Sequence, residues 1–81
     1  MPREYLKKLR ESQNMSMQET ADRIGITRQY YQLIEAGERQ KKMDITLVIA
    51  LSNIFGITVE QIISHEEKQL STETEEETNH E

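Results

Sequence analysis

Between Ser16 and Gly37 the chain reads SMQETADRIGITRQYYQLIEAG, and no other stretch limits the fold as much. Two short segments lie on either side of Gly25, and each carries its own start and stop. Ser16 precedes Glu19 by three positions, the spacing of a capping box. There the serine hydroxyl accepts from the Glu19 N–H while the Glu19 carboxylate reaches back to the Ser16 N–H. Ala21 and Ile24 supply an inner face. Gly25 follows, a residue for which left-handed backbone costs little. Thr27 then caps a second segment with Tyr31 and Ile34 three apart on its inner side, and Gly37 stops it. The stretch predicts two short helices joined by a tight turn.

The flanking segments are also helical. Leu6 and Leu9 share one face of a first helix over residues 3–12, with Tyr5 beside them and Lys7, Lys8 and Glu11 pointing away. After the loop GERQKKMD, Leu47, Leu51, Ile54 and Phe55 fit one face of a fourth helix over residues 44–55, ended by Gly56. Thr58 and Gln61 form a second capping box for a short fifth helix that ends at Ile62 and Ile63. No strand alternation or internal repeat is visible. The expectation is an all-α, compact five-helix domain over residues 1–64. Residues 65–81 form an acidic tail with one Leu and no aromatics, which cannot offset the entropy of ordering and should be largely disordered, with continuation of the fifth helix left open for its first few residues.

Charge divides along the same boundary. Up to residue 63 there are nine Lys/Arg and eight Asp/Glu; beyond it, one Lys and seven Glu, giving the net charge of -5. The folded part is near neutral, so the whole-chain acidity says little about its partners. What matters is where cations gather. The chain has no cysteine, so disulfides and thiolate metal sites are excluded. No apolar run approaches the ~20 residues of a membrane span, and a soluble cytoplasmic chain is expected. Catalysis finds no support: His65 and His80 fall in the acidic tail without fixed neighbours, and no phosphate-cradling glycine loop or metal-ligand set is present. Neither a cofactor nor a metal is expected.

The outer face of the third helix carries the chemistry. Gln29, Gln32, Leu33 and Ala36 lie opposite Tyr31, Ile34 and Glu35, and Arg28 sits in the first turn. Gln pairs bidentately with adenine and Arg with the guanine edge, each worth about 1–3 kcal/mol of discrimination. Leu33 suits a thymine methyl or packing at the helix edge. Tyr30 lies between the faces, its hydroxyl suited to a phosphate. Arg39, Lys41 and Lys42 form a basic loop just beyond, where the backbone of a duplex would pass. At the start of the second helix, the N–H groups of Met17 and Gln18 offer a phosphate anchor, and Gln18 adds a side-chain donor. Val48, Ile49, Ile45 and Ile63 exceed what one face of two helices can bury. That surplus predicts a partner surface and a homodimer through the fourth and fifth helices.

With these residues in place, the chain resembles the Cro/cI-type (XRE-like) helix-turn-helix family of phage and bacterial regulators over residues 9–63. The resemblance rests on Leu9-Arg10, Ser16, Glu19, Ala21, Ile24-Gly25-Ile26, Thr27-Arg28, Tyr31, Ile34-Glu35-Ala36-Gly37 and Phe55-Gly56-Ile57-Thr58. It implies a lambda-repressor-like domain whose helix-turn-helix motif spans about residues 17–36. It implies binding of double-stranded operator DNA, usually as a homodimer on a palindromic site. Base contacts are implied at Arg28, Gln29 and Gln32, a further contact at Tyr30 beside Thr27, and phosphate contacts at the start of the second helix and in the loop after the third. Arg10 and Glu35 match a pair of charges that commonly bridges the first and third helices, and so belong to the scaffold. The chain departs from the family at Met17, where Gln is common, at Thr20, often aliphatic, and in a longer loop without the common proline. A sequence-specific regulator, a repressor rather than an activator, is the leading expectation. An antitoxin, with a protein partner at the tail, or a restriction–modification controller uses the same fold. A protein-interaction module that has lost DNA binding is the alternative from another class.

Overall fold

The computed structural model describes residues 1–68. The expected disorder of the tail falls mainly on residues 69–81, outside the described residues. Four helices, α1 (Glu4–Ser12), α2 (Met17–Ile24), α3 (Arg28–Glu35) and α4 (Ile45–Phe55), are followed by α5 (Val59–Lys68), after a bend of 117° from α4. No strand occurs among the described residues. None of their helices is by itself long and apolar enough to cross a membrane.

Local chemistry sets the helix ends. The Ser16 hydroxyl accepts from Glu19 N–H at 3.0 Å and the Thr27 hydroxyl from Tyr30 N–H at 3.1 Å. Asp44 caps α4 through Leu47 N–H at 2.8 Å. At α5 the capping box closes in both directions: Thr58 N–H donates to Gln61 Oε1 at 2.8 Å, and Gln61 N–H to the Thr58 hydroxyl at 3.0 Å. At α2 it closes in one direction only. The Glu19 carboxylate turns instead to Arg23, one helical turn on, at 3.0 Å, an exchange of one exposed contact for another. Gly25 (φ 78°) and Gly37 (φ 78°) end α2 and α3 in left-handed backbone. Past Gly37, Glu38 N–H returns to Leu33 O at 2.9 Å and Gly37 N–H to Ile34 O at 3.0 Å, the paired bonds of a Schellman ending. A Cβ at Gly37 would also collide with the Met1 carbonyl, which closes over it.

α2 packs on α3 and α4, and α1 on α3. Leu6, Ala21, Tyr31, Ile34, Leu51 and Ile62 are fully buried, joined by Met15, Leu47, Val48 and Phe55. Each large aliphatic side chain so buried contributes about 1.5–3 kcal/mol. Val48, expected among surplus apolar residues, is part of this core. Ile45, Ile49 and Ile63 remain 61%, 47% and 39% exposed. Thr20 is buried where an aliphatic residue is common, because its hydroxyl returns to Ser16 O at 2.9 Å and leaves only its methyl for the core.

A buried ion pair joins α1 to α3. Arg10 Nε and Nη2 meet Glu35 Oε2 and Oε1, each at 3.0 Å, and Arg10 Nη1 donates to Met15 O at 3.1 Å. Hydrogen bonding to Glu35 pushes the Arg10 guanidinium above its ordinary value.

α5 runs past Ile63, where the apolar pattern ends, and takes in the first residues of the acidic segment up to Lys68. His65, expected to lack fixed neighbours, stacks on Tyr5 with ring centroids 4.5 Å apart. Glu66 accepts from the Tyr5 hydroxyl at 2.5 Å and pairs with Arg3 at 2.9 Å. These contacts draw His65 and Glu66 onto Tyr5 of α1 and Arg3 just before it. Residues 65–68 resemble the tail in composition, which hides them from a reading of apolar periodicity.

Two consequences for stability follow. Arg10→Met leaves Glu35 charged and buried and should cost about 3–5 kcal/mol in denaturant unfolding, whereas Arg10→Met with Glu35→Leu should recover most of that loss. The second concerns pH. Burial first, then the neighbouring Glu35 carboxylate, pushes the Tyr31 hydroxyl well above its ordinary value. Burial first, then the bond to Glu66, does the same at Tyr5. Both groups hold their protons more tightly folded than unfolded. Stability is therefore full below the unfolded tyrosine value of about 10 and falls as the pH rises above it. The Tyr31 hydroxyl is buried without a hydrogen-bond partner among the described residues. Tyr31→Phe should therefore cost less than about 1 kcal/mol at neutral pH and make the alkaline decline shallower; an unchanged decline would assign it to other groups.

Candidate nucleic-acid interface

α3 is held by one face and offers the other. Tyr31, Ile34 and Glu35 are buried, which leaves Arg28, Gln29 and Gln32 exposed on the opposite side. Among the described residues, none is found hydrogen-bonded to the side chains of these three. The three are spaced over the first five residues of an eight-residue helix and exposed, with the guanidinium fork of Arg and the amide of Gln being the groups that match base edges. Leu33 and Ala36, expected beside them, are half-buried, so Leu33 packs partly at the helix edge.

Thr27 does two things at once. Its hydroxyl oxygen accepts from Tyr30 N–H, and its own O–H remains a donor toward the exposed side. Tyr30 is half-buried, and its hydroxyl accepts from Gln40 Nε2 at 2.8 Å. That bond ties α3 to the following loop.

The loop cations Arg39, Lys41 and Lys42 are exposed. Their backbone is nonetheless well tied. Gln40 adopts left-handed backbone at φ 57°, and Asp44 N–H donates to Gln40 Oε1 at 3.0 Å. Arg3 donates to the carbonyls of Arg39, at 3.0 Å, and of Gln40. Neither Arg3 nor Gln40 was expected to matter from the sequence. Each acts through bonds to backbone carbonyls or to a side chain ten or more positions away, and such bonds leave no periodic trace.

At the start of α2, Gln18 is exposed and Met17 half-buried. Gln18 Nε2 donates to Asp22 Oδ1 at 2.8 Å. The side chain is thus turned along its own helix, one amide hydrogen still unspent. Lys7, Met17, Gln32 and Glu35 line one groove of about 280 Å³, so the start of α2 and the side of α3 that carries Gln32 border a common concavity. Among the described residues, no group of three or more His, Cys, Asp or Glu is placed to hold a metal ion.

Comparison with known proteins agrees with this geometry. A family model described as Helix-turn-helix matches residues 6–62. The chain is similar to YqaE of Bacillus subtilis (strain 168), named as an uncharacterized HTH-type transcriptional regulator. The two are 33% identical over 66 residues, 82% of this chain and 55% of the relative. It is similar also to YonR of the same organism, an SPbeta prophage-derived uncharacterized HTH-type transcriptional regulator, at 40% identity over 60 residues, 74% of this chain and 54% of that protein. The chain thus spans about half the length of these curated relatives. No solved structure matches it significantly. Five helices, an α2–turn–α3 unit with an exposed polar face, and a family match across most of the chain lead to one conclusion: the chain belongs to the Cro/cI-type helix-turn-helix family of DNA-binding transcriptional regulators.

Proposed function

We propose that the chain is a sequence-specific repressor that reads a palindromic operator with α3 inserted in the major groove. The observation that carries this is the outer face of α3, where Arg28, Gln29 and Gln32 are exposed while Tyr31, Ile34 and Glu35 are locked into the core behind them. In this reading Arg28, Gln29 and Gln32 contact base edges. Thr27, Tyr30 and Leu33 flank them at sugar, phosphate and thymine methyl. Gln18 and the loop cations Arg39, Lys41 and Lys42 neutralise or bind backbone phosphates. Occupancy of the operator is the repressing act and requires no ligand chemistry.

Selection of bound duplexes from a random pool tests the reading directly. A two-fold symmetric consensus supports it; no enrichment overturns it. The two contact classes should then separate. Gln32→Ala should relax one base position of the consensus at a cost of about 1–3 kcal/mol. Lys41→Ala should weaken all sequences alike and lower the log–log salt slope by about one.

The two-fold partner is a second copy of the chain. Ile45 and Ile49 on α4 and Ile63 on α5 remain exposed after the core has closed. A groove of about 290 Å³ is lined by Met43, Val48 and Ile63 and by Lys42, Glu66 and Glu67. An apolar surface carrying both charge signs is self-complementary under a two-fold axis. Such a dimer places two α3 helices one turn of duplex apart, ~34 Å. Ile49→Glu should leave the thermal midpoint nearly unchanged and shift sedimentation to the monomer. It should also reduce affinity for a palindromic duplex by roughly 100-fold, as joint engagement of two half-sites is lost. A concentration-independent monomer mass for the unmodified chain, with and without operator, would overturn the dimer.

A further inference from the structure

The side chain of Arg3 is 1% exposed, an unusual place for an arginine so near a chain end. Its burial is matched by complete use of its donors. Nε and Nη2 meet the two oxygens of Glu66 at 2.9 and 3.0 Å. Nη1 donates to Ile34 O at 2.6 Å and to Arg39 O at 3.0 Å. Nη2 also donates to Gln40 O. All five N–H groups of the guanidinium fork are engaged. The Arg3 backbone adds a sixth bond, N–H to Glu35 O at 2.7 Å.

The acceptors show what this arrangement fixes. Ile34 O lies in the last turn of α3, and the carbonyls of Arg39 and Gln40 belong to the basic loop. Gln40 is a non-glycine residue at φ 57°, a conformation that persists only where surrounding bonds over-determine it. Those bonds are its carbonyl to Arg3, its Nε2 to the Tyr30 hydroxyl and its Oε1 from Asp44 N–H. Arg3 is in turn oriented by Glu66, whose Oε2 also accepts from the Tyr5 hydroxyl. One chain of contacts thus runs from α5 through Arg3 to the loop that carries Arg39, Lys41 and Lys42.

We infer that Arg3 is a positioning residue for DNA binding: braced by Glu66, it holds the loop after α3 in the one conformation that presents its cations to the phosphate backbone. The inference rests on the DNA-binding reading above. It adds that phosphate affinity depends on a residue that touches no DNA, and on a helix segment beyond Ile63. A lysine at position 3 would keep the charge opposite Glu66 but lose the planar fork that reaches three carbonyls.

The test uses the full chain, with Arg3→Lys and, as an isosteric second variant, Glu66→Gln. Amide hydrogen exchange is read over residues 38–43, and binding to the selected duplex and to a mixed-sequence duplex is read across a salt series. Arg3→Lys should speed loop exchange about tenfold or more, as charge-assisted bonds are lost. It should lower the salt slope by roughly one to three units and leave the selected bases unchanged. Glu66→Gln should move the same readouts less far, and it decides the matter if Arg3→Lys fails to fold. Unaltered loop exchange in a folded variant overturns the inference, as does faster exchange with the same slope and affinity. An unmodified chain that selects no DNA overturns the functional reading, and the phosphate-presenting role with it. The exchange data then still decide whether Arg3 fixes the loop.

Discussion

The bidentate pair between Arg10 and Glu35 is the constraint on which the geometry of the interface depends. α3 has only eight residues, too few to be a stable helix by itself, so its orientation comes from what it packs against. Tyr31 and Ile34 supply apolar contact but little directional information. Glu35 adds direction, because two parallel bonds to one guanidinium set distance, rotation and tilt together. Arg10 extends the constraint to the α1–α2 turn by donating to Met15 O. Both elements of the helix-turn-helix unit are thereby referenced to α1. Replacing the pair by apolar side chains can preserve stability, yet it would remove the bonds that select one rotation of α3. The exposed set Arg28, Gln29 and Gln32 is only as well placed as that rotation.

The parts of the fold written in local chemistry were legible. Ser16, Thr27 and Thr58 each act within three residues of themselves, so their spacing alone identifies three helix starts; the Asp44 cap of α4 emerged only with the structure. Gly25, Gly37 and Gly56 mark the ends for the same reason. Inner and outer faces of α3 follow from a period of about 3.6 residues, and Tyr31, Ile34 and Glu35 are buried as that period requires. Val48 shows where periodicity stops being enough. α4 is apolar around most of its circumference, and only the packing of α2 against it decides that Val48 goes inside while Ile45 and Ile49 stay out.

Arg3, Gln40 and Glu66 were not legible, and their distances in sequence explain why. Arg3 reaches Glu66 across 63 positions and Gln40 across 37. Charged residues near an end, in a loop and at the edge of an acidic segment each look like ordinary solvated surface. Only the tertiary fold brings them together, and only then does the unusual backbone at Gln40 find enough bonds to persist. The pairing of Glu19 with Arg23 is the converse case. Two local partners competed for one carboxylate at an exposed site, where either choice is worth only a few tenths of a kcal/mol.

Net charge deserves less weight than charge placement in a molecule of this kind. The chain carries -5 overall, yet Arg3 and Arg10 are consumed internally by Glu66 and Glu35, and Arg23 by Glu19. Those pairs neutralise one another and contribute little to the field outside. What remains exposed includes Arg28 on α3, Lys7 beside the groove that Gln32 lines, and Arg39, Lys41 and Lys42 in the loop after α3. Interactions between exposed charges fade beyond about 8–10 Å at physiological salt. A phosphate against the loop would therefore feel its three cations, opposed locally by Glu38 and Asp44, far more than a distant carboxylate. An acidic chain can thus present a basic edge, provided that its buried cations are matched one for one and its free cations are held where they act.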